Sequence, residues 1–189
     1  IRDRPLRIGL VNIYAFRPHG NHLAYLAHLV RQAGHEARFL TCDADLALCY
    51  PRALKGTSRL RECTICRIGG VRSFESNHVT SLSGRAGQGL PSEIAETLVR
   101  SSSSTLCRTE ANNELEDPDV VAVRRELAAS AQISFAAALR WIERERLDGV
   151  VCFNGRMDHT RAVTYACEQA GIPFVTHERP WFGHGLHLT

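Results

Sequence analysis

Two constellations in this chain could carry chemistry. The first is a set of polar clusters, each ending a short apolar run. Leu6 to Val11 runs into Asn12 and a loop holding His19 and His22, Gly149 to Phe153 into Asn154-Gly155-Arg156, and Pro173 to Thr176 into His177-Glu178-Arg179. Amide, imidazole and guanidinium groups suit hydroxylated or anionic small molecules. That makes His19, His22, Asn154, Arg156, His177 and Arg179 candidate substrate contacts. Glu178, between two basic residues, is the candidate catalytic carboxylate, able to accept a hydroxyl proton. Plainer roles compete: Asn154 could cap a turn, Arg156 could be a surface charge, Glu178 could sit in a local ion pair, and a histidine in a loop is often merely exposed. The second constellation is Cys42, Cys49, Cys63 and Cys66, spaced C-x6-C-x13-C-x2-C. Four thiolates satisfy tetrahedral zinc, the same ligands serve an iron–sulfur cluster, and unliganded buried thiols are the third possibility. Cys107, Cys152 and Cys167 read as small hydrophobes.

The elements that must position these groups follow from periodicity. Short, β-branched apolar runs separated by helical stretches read as parallel strands covered on both faces. Strands are expected at Leu6 to Val11, Ala37 to Thr41, Gly149 to Phe153 and Ile172 to Thr176. Helices are expected at Asn21 to Ala33 (closed by Gly34), at Pro91 to Val99, from Pro118 to about Arg146, and at Thr160 to Ala170 (closed by Gly171). The long helix carries Val121, Leu127, Ile133, Phe135, Leu139 and Ile142 as a core stripe. The pattern predicts an α/β fold with a Rossmann-like, three-layer parallel sheet, within one domain spanning 1–189. In such sheets ligands bind beyond the carboxyl ends of the strands, where all three clusters lie. Residues 42–89 show no sustained period and read as a Cys-rich insert that a structural zinc would help to fold. Ser101 to Asn113 reads as a polar connector. Four strands and no repeat of the first half predict one lobe of a longer, two-lobed protein.

Bulk properties exclude several classes. The chain has 23 Lys+Arg against 20 Asp+Glu, net +3, scattered rather than in a run, so no nucleic-acid footprint is read. No apolar stretch approaches 18 residues, which predicts no transmembrane segment. Seven cysteines, an odd count, favour a reducing cytoplasm. The loop after the first strand holds one glycine, Gly20, and neither G-x-G-x-x-G nor a P-loop occurs. Hydride transfer and nucleotide hydrolysis are disfavoured accordingly.

The Gly34-His35-Glu36 turn, Val151-Cys152-Phe153-Asn154-Gly155-Arg156 and Thr176-His177-Glu178-Arg179 together resemble the N-terminal half of GT-B-type glycosyltransferases of bacterial capsule and surface polysaccharide synthesis. The resemblance covers residues 1–41 and about 118–180. It implies the acceptor-binding lobe, with Asn154, Arg156 and Glu178 in an interlobe cleft, a saccharide or lipid-linked acceptor, and a nucleotide-sugar donor held mainly by a C-terminal lobe. The Cys-rich insert departs from that pattern. Two rivals remain open. The helix after Gly20 and the Gly-His-Glu turn are also similar to cobalamin-binding modules of radical enzymes, although the Asp-x-His-x-x-Gly loop is missing. A zinc-stabilised scaffold domain is the other.

Overall fold

A computed structural model describes residues 4–14, 19–71, 73–82, 90–107, 115–179 and 185–189. In chain order these form β1 (Arg7–Asn12), α1 (His19–Gln32), β2 (Glu36–Thr41), α2 (Tyr50–Lys55), α3 (Arg59–Cys66), a π-helical turn (Arg67–Val71), a 3₁₀ turn (Ser76–His78), β3 (Val79–Ser81), α4 (Ser92–Leu98), α5 (Arg100–Cys107), α6 (Pro118–Glu145), β4 (Gly149–Phe153), α7 (Asp158–Ala170), β5 (Phe174–Glu178) and β6 (His187–Leu188). The sheet order is β3-β2-β1-β4-β5-β6, parallel throughout except for the β5–β6 pair. This is an α/β, Rossmann-like arrangement.

The order explains where a ligand can go. From β1 the chain steps outward to β2 through α1. From β4 it steps the opposite way to β5 through α7. Right-handed crossovers in opposite directions put α1 and α7 on opposite faces. Strand alternation agrees: Leu10, Ala37 and Phe39 pack against Leu23 and Ala27 of α1, while Val11, Leu40, Val150 and Cys152 join the larger core under α6 and α7. Between β1 and β4 the order reverses, which leaves a crevice at their carboxyl ends. In the larger core, Gly9 is what lets α6 come close. A Cβ there would lie 2.5 Å from Cη2 of Trp141, which is 1% exposed.

α6 opens as expected, with Pro118 in its first turn and the Asp117 side chain accepting the Asp119 N–H. Several expectations are corrected. The stretch from Cys42 onward is not patternless: it supplies α2, α3 and the edge strand β3, whose three residues pair with Phe39, Leu40 and Thr41. These elements are too short to show a period. Ser101 to Cys107 is helix, within α5, rather than connector. Its four consecutive serines read as linker, but Ser102 and Ser103 are wholly buried. β5 runs to Glu178 instead of stopping at Thr176, and α1 starts at His19 instead of Asn21. Residues 83–89 of the insert, 108–113 of the connector and 15–18 of the first loop lie outside the described residues.

Candidate functional site

The two shifted boundaries rearrange the expected site. Because His177 and Glu178 are strand residues, their side chains leave opposite faces of β5. His177 pairs in register with Phe153 and points to the α1 face. Glu178 points to the α7 face with Thr176. Because His19 and His22 stand in the first turn of α1, three residues apart, they share one helical face over the β1–β4 crevice.

On the α1 face the three imidazoles gather. His19 lies against Phe153, ring centroids 3.7 Å apart, and 6.2 Å from the His22 ring. The His22 ring is 6.4 Å from that of His177, edge-on. His19 and His22 are half-buried, whereas His177 is wholly buried. Behind them Asn12 ends β1 at 1% exposure and donates its amide to the Gly69 carbonyl at 3.3 Å, bringing the π-helical turn over one end of the crevice. Burial, reinforced by His177 and His22, lowers the His19 pKa to about 4. Burial and His22 do the same to His177, also to about 4. Both are therefore neutral near pH 7, acting as donor–acceptor groups rather than cations. Several valences in the crevice are unfilled: among the described residues, both nitrogens of His177, Nδ1 of His22 and Oδ1 of Asn12 have no hydrogen-bond partner.

On the α7 face a second group forms around the turn after β4. Asn154 and Gly155 both have positive φ, +59° and +75°. A Cβ at Gly155 would sit 2.6 Å from Cγ2 of Thr176, so the turn requires glycine there. Asn154 organises its neighbours: its Oδ1 accepts the Arg156 N–H at 3.1 Å and its Nδ2 donates to Glu178 Oε1. Arg156 reaches across to Ser101 Oγ at 3.0 Å. Arg100, Ser101, Asn154, Arg156, Arg161 and Thr176 help line an open groove of about 630 Å³ over an apolar base that includes Phe174. Glu178, Arg156 and Arg179 are exposed. The structure thus joins Asn154, Arg156 and Glu178 in one group, and His19, His22 and His177 in another, with β4 and β5 between them.

Sequence reasoning missed a third group, buried under α7. Asp158 accepts from Tyr14 OH and from Tyr50 N–H (3.0 Å), and its own N–H donates to Ser102 Oγ at 2.7 Å. His159 Nδ1 lies 2.8 Å from Ser134 Oγ, and its Nε2 is 3.0 Å from Asp158 Oδ2, off the line of a hydrogen bond. Asp158, His159 and Ser134 are all wholly buried, so this Ser-His-Asp association cannot meet a substrate. It ties the segment leaving β1, the start of α2, and helices α5 and α6 to α7. Adjacent Asp158 and His159 at a helix start were its one sequence signal.

Among the described residues, no three His, Cys, Asp or Glu side chains stand in a ready-made metal shell. That holds for Cys42, Cys49, Cys63 and Cys66, the quartet expected from the spacing; burial raises the pKa of Cys42 and Cys49 above the ordinary thiol range. Cys152 and Cys167 are buried core residues, as their apolar settings predict. No described helix is long and apolar enough to cross a membrane. No protein-family model and no curated protein matches the chain.

Proposed function

We propose that this chain is the acceptor-side lobe of a GT-B-type sugar transferase of bacterial polysaccharide synthesis. In this reading it works with a second lobe that brings a nucleotide-sugar. The observation that carries the proposal is the crevice between β1 and β4, where the neutral His177 imidazole and the Asn12 amide keep hydrogen-bonding valences unfilled among the described residues. Sugar hydroxyls both donate and accept, and uncharged imidazoles answer both roles. A phosphate would call for cations there. The Asn154-Gly155-Arg156 and His177-Glu178-Arg179 clusters, which carry the resemblance, flank the same strand ends.

In the reaction, an acceptor hydroxyl oxygen bonds to the anomeric carbon while that carbon's bond to the leaving phosphate oxygen breaks, the nucleotide departing with the electron pair. The hydroxyl proton passes to a base. His19, neutral and half-buried, is in the right protonation state to take it. Glu178, held by Asn154 on the other side of β5, is the alternative base for an acceptor lying in the α7-face groove. Arg156 offers a guanidinium donor to acceptor oxygens on that side, and Arg179, exposed just past the end of β5, is a further guanidinium near the strand ends.

NMR of the histidine ring protons tests the reading. Titration with neutral oligosaccharides should shift His19 and His22, and a nucleoside diphosphate alone should leave them unmoved. The reverse pattern would place the donor here and overturn the acceptor-lobe assignment.

A further inference from the structure

The neutral imidazoles of the crevice suit hydroxyls; the groove on the α7 face is built differently. Arg100 opens α5, Arg156 follows the turn after β4, and Arg161 stands near the start of α7, and all three line the groove of about 630 Å³. No aspartate or glutamate among the described residues lines it. Ser101, Thr164 and Thr176 add hydroxyls, and Leu98 and Leu115 join Phe174 in its apolar base.

The three guanidiniums differ in what already neutralises them. Arg161 is answered within α7, its Nη1 donating to Glu168 at 2.7 Å and to Thr164 Oγ1 at 3.2 Å. Arg156 donates to the uncharged Ser101 hydroxyl, and among the described residues neither it nor Arg100 has a carboxylate partner. The carboxylates in the neighbourhood are engaged elsewhere. Glu178 is held by Asn154 Nδ2. Glu93, Glu96 and Glu116 border Arg100 on its other side, outside the groove, and of these Glu96 and Glu116 are paired with Arg124. Helix stability does not account for Arg156 either. It precedes α7 by two residues, at the positive end of the helix dipole, where a cation is disfavoured. A strained turn holds it there: Asn154 lies at φ +59°, Gly155 admits no Cβ, and Asn154 Oδ1 accepts the Arg156 N–H.

We propose that this groove binds a phosphate group joined to an apolar moiety. The Arg156 and Arg100 guanidiniums and the Ser101 hydroxyl meet the phosphate oxygens, and the apolar moiety lies over Leu98, Leu115 and Phe174. A guanidinium fork matches two phosphate oxygens at once, and two unneutralised forks suit the double charge of a phosphate monoester better than the single charge of a carboxylate. The same phosphate chemistry occurs on lipid-like carriers and on soluble sugars; the apolar base favours the former. Binding here does not depend on the transferase reading.

Calorimetric titration of the whole chain with octyl phosphate, glucose 1-phosphate and 1-octanol separates the contributions. Octyl phosphate should bind more than about tenfold tighter than glucose 1-phosphate, and octanol should give no measurable heat. Arg156→Gln and Arg100→Gln should each weaken octyl phosphate about tenfold. Arg161→Gln should weaken it less than about threefold, because Glu168 already neutralises that guanidinium. In NMR spectra, octyl phosphate should shift the backbone amides of Ser101, Arg156 and Thr176 and leave the His19 and His177 rings unmoved. Arg100 and Arg156 are exposed, so both variants should keep the native unfolding midpoint. A native chain that binds no octyl phosphate, or binds glucose 1-phosphate or octanol at least as well, overturns the proposal. So do equal affinity in the native chain and Arg156→Gln, and losses that are equal in all three variants, the mark of unspecific attraction between charges.

Discussion

The two faces of the sheet use the same residue types to opposite ends. Under α7, Asp158, His159, Ser134, Ser102 and Tyr14 are interlocked, with the Asp158 carboxylate accepting twice and its N–H donating once. Under α1, His177 is equally buried, yet neither of its nitrogens has a partner among the described residues. By composition the first group looks the more catalytic, since it contains serine, histidine and aspartate in contact. Its burial and near-complete pairing make it a clamp. The second has no nucleophile and no carboxylate, but its open valences and its place at the topological switch point make it the better candidate for a ligand. Unmet hydrogen-bonding capacity, rather than the presence of catalytic residue types, separates a site from a support.

Breaking the clamp should have the largest effect. Asp158→Ala takes the shared carboxylate away from the Tyr14 hydroxyl, the Tyr50 N–H and the His159 edge at once. A loss of about 3–5 kcal/mol is expected in chemical denaturation, and the segment leading from Tyr14 into α1 should loosen with it. A loss below 1 kcal/mol would show that the network is not a clamp. On the same face, Gly9→Ala forces a methyl group against Trp141 and Leu147, at an expected cost of about 1–3 kcal/mol, because β1 and α6 cannot both stay in place.

The open side should respond with the opposite sign. His177→Phe keeps the ring and removes two unpartnered nitrogens, so the variant should be more stable by about 1–3 kcal/mol, the cost of leaving buried polar groups unsatisfied. It should also lose a pH dependence. His19 and His177 titrate near 4 in the folded chain and near the ordinary 6.5 when unfolded. Between those values the unfolded chain holds more protons, so stability rises with pH across the window and is lost as pH falls from about 6.5 towards 4. Denaturation midpoints measured at several pH values should give a shallower slope for His177→Phe than for the native chain. Equal slopes would mean that His177 is not held neutral by its surroundings.

How much of this was legible beforehand depended on element length. Strong, long signals were read correctly: α6 from Pro118, the β1-α1-β2 unit, β4, and the placement of polar clusters at parallel strand ends. The miss at β5 was small in residues and large in consequence. Thr176-His177-Glu178 has no apolar run to mark it as strand, yet His177 pairs with Phe153, and period-2 alternation then sends His177 and Glu178 to opposite faces. A site expected as one concavity became two groups for that reason alone. The serines of α5 were misjudged because their hydroxyls are satisfied internally: Ser102 by Asp158 N–H, and Ser103 by the Arg100 carbonyl. Neither partner is visible in composition. The spacing of Cys42, Cys49, Cys63 and Cys66 reads as a metal quartet, yet among the described residues no three of these side chains stand in a metal shell, because spacing fixes the order of ligands and not how α2 and α3 present them.

The smallest stability effect belongs to the groove on the α7 face. Arg156 and Glu178 are exposed, and each is bound to one neighbouring side chain, Ser101 and Asn154 respectively. Exposed pairs of this kind contribute little, so Arg156→Ala and Glu178→Ala should each change stability by no more than about 0.5 kcal/mol. Their value as probes lies in that neutrality. If the groove takes part in acceptor binding, either substitution should reduce sugar transfer more than tenfold in the protein working with its donor lobe, with the unfolding midpoint unmoved. Because Asn154 links the two, through its side chain to Glu178 and through its Oδ1 to the Arg156 backbone, Asn154→Ala should approach the effect of the double variant rather than that of either single one. Transfer at the native level in both single variants would confine the acceptor to the imidazole crevice, and the two faces would then divide into one that binds and one that only supports.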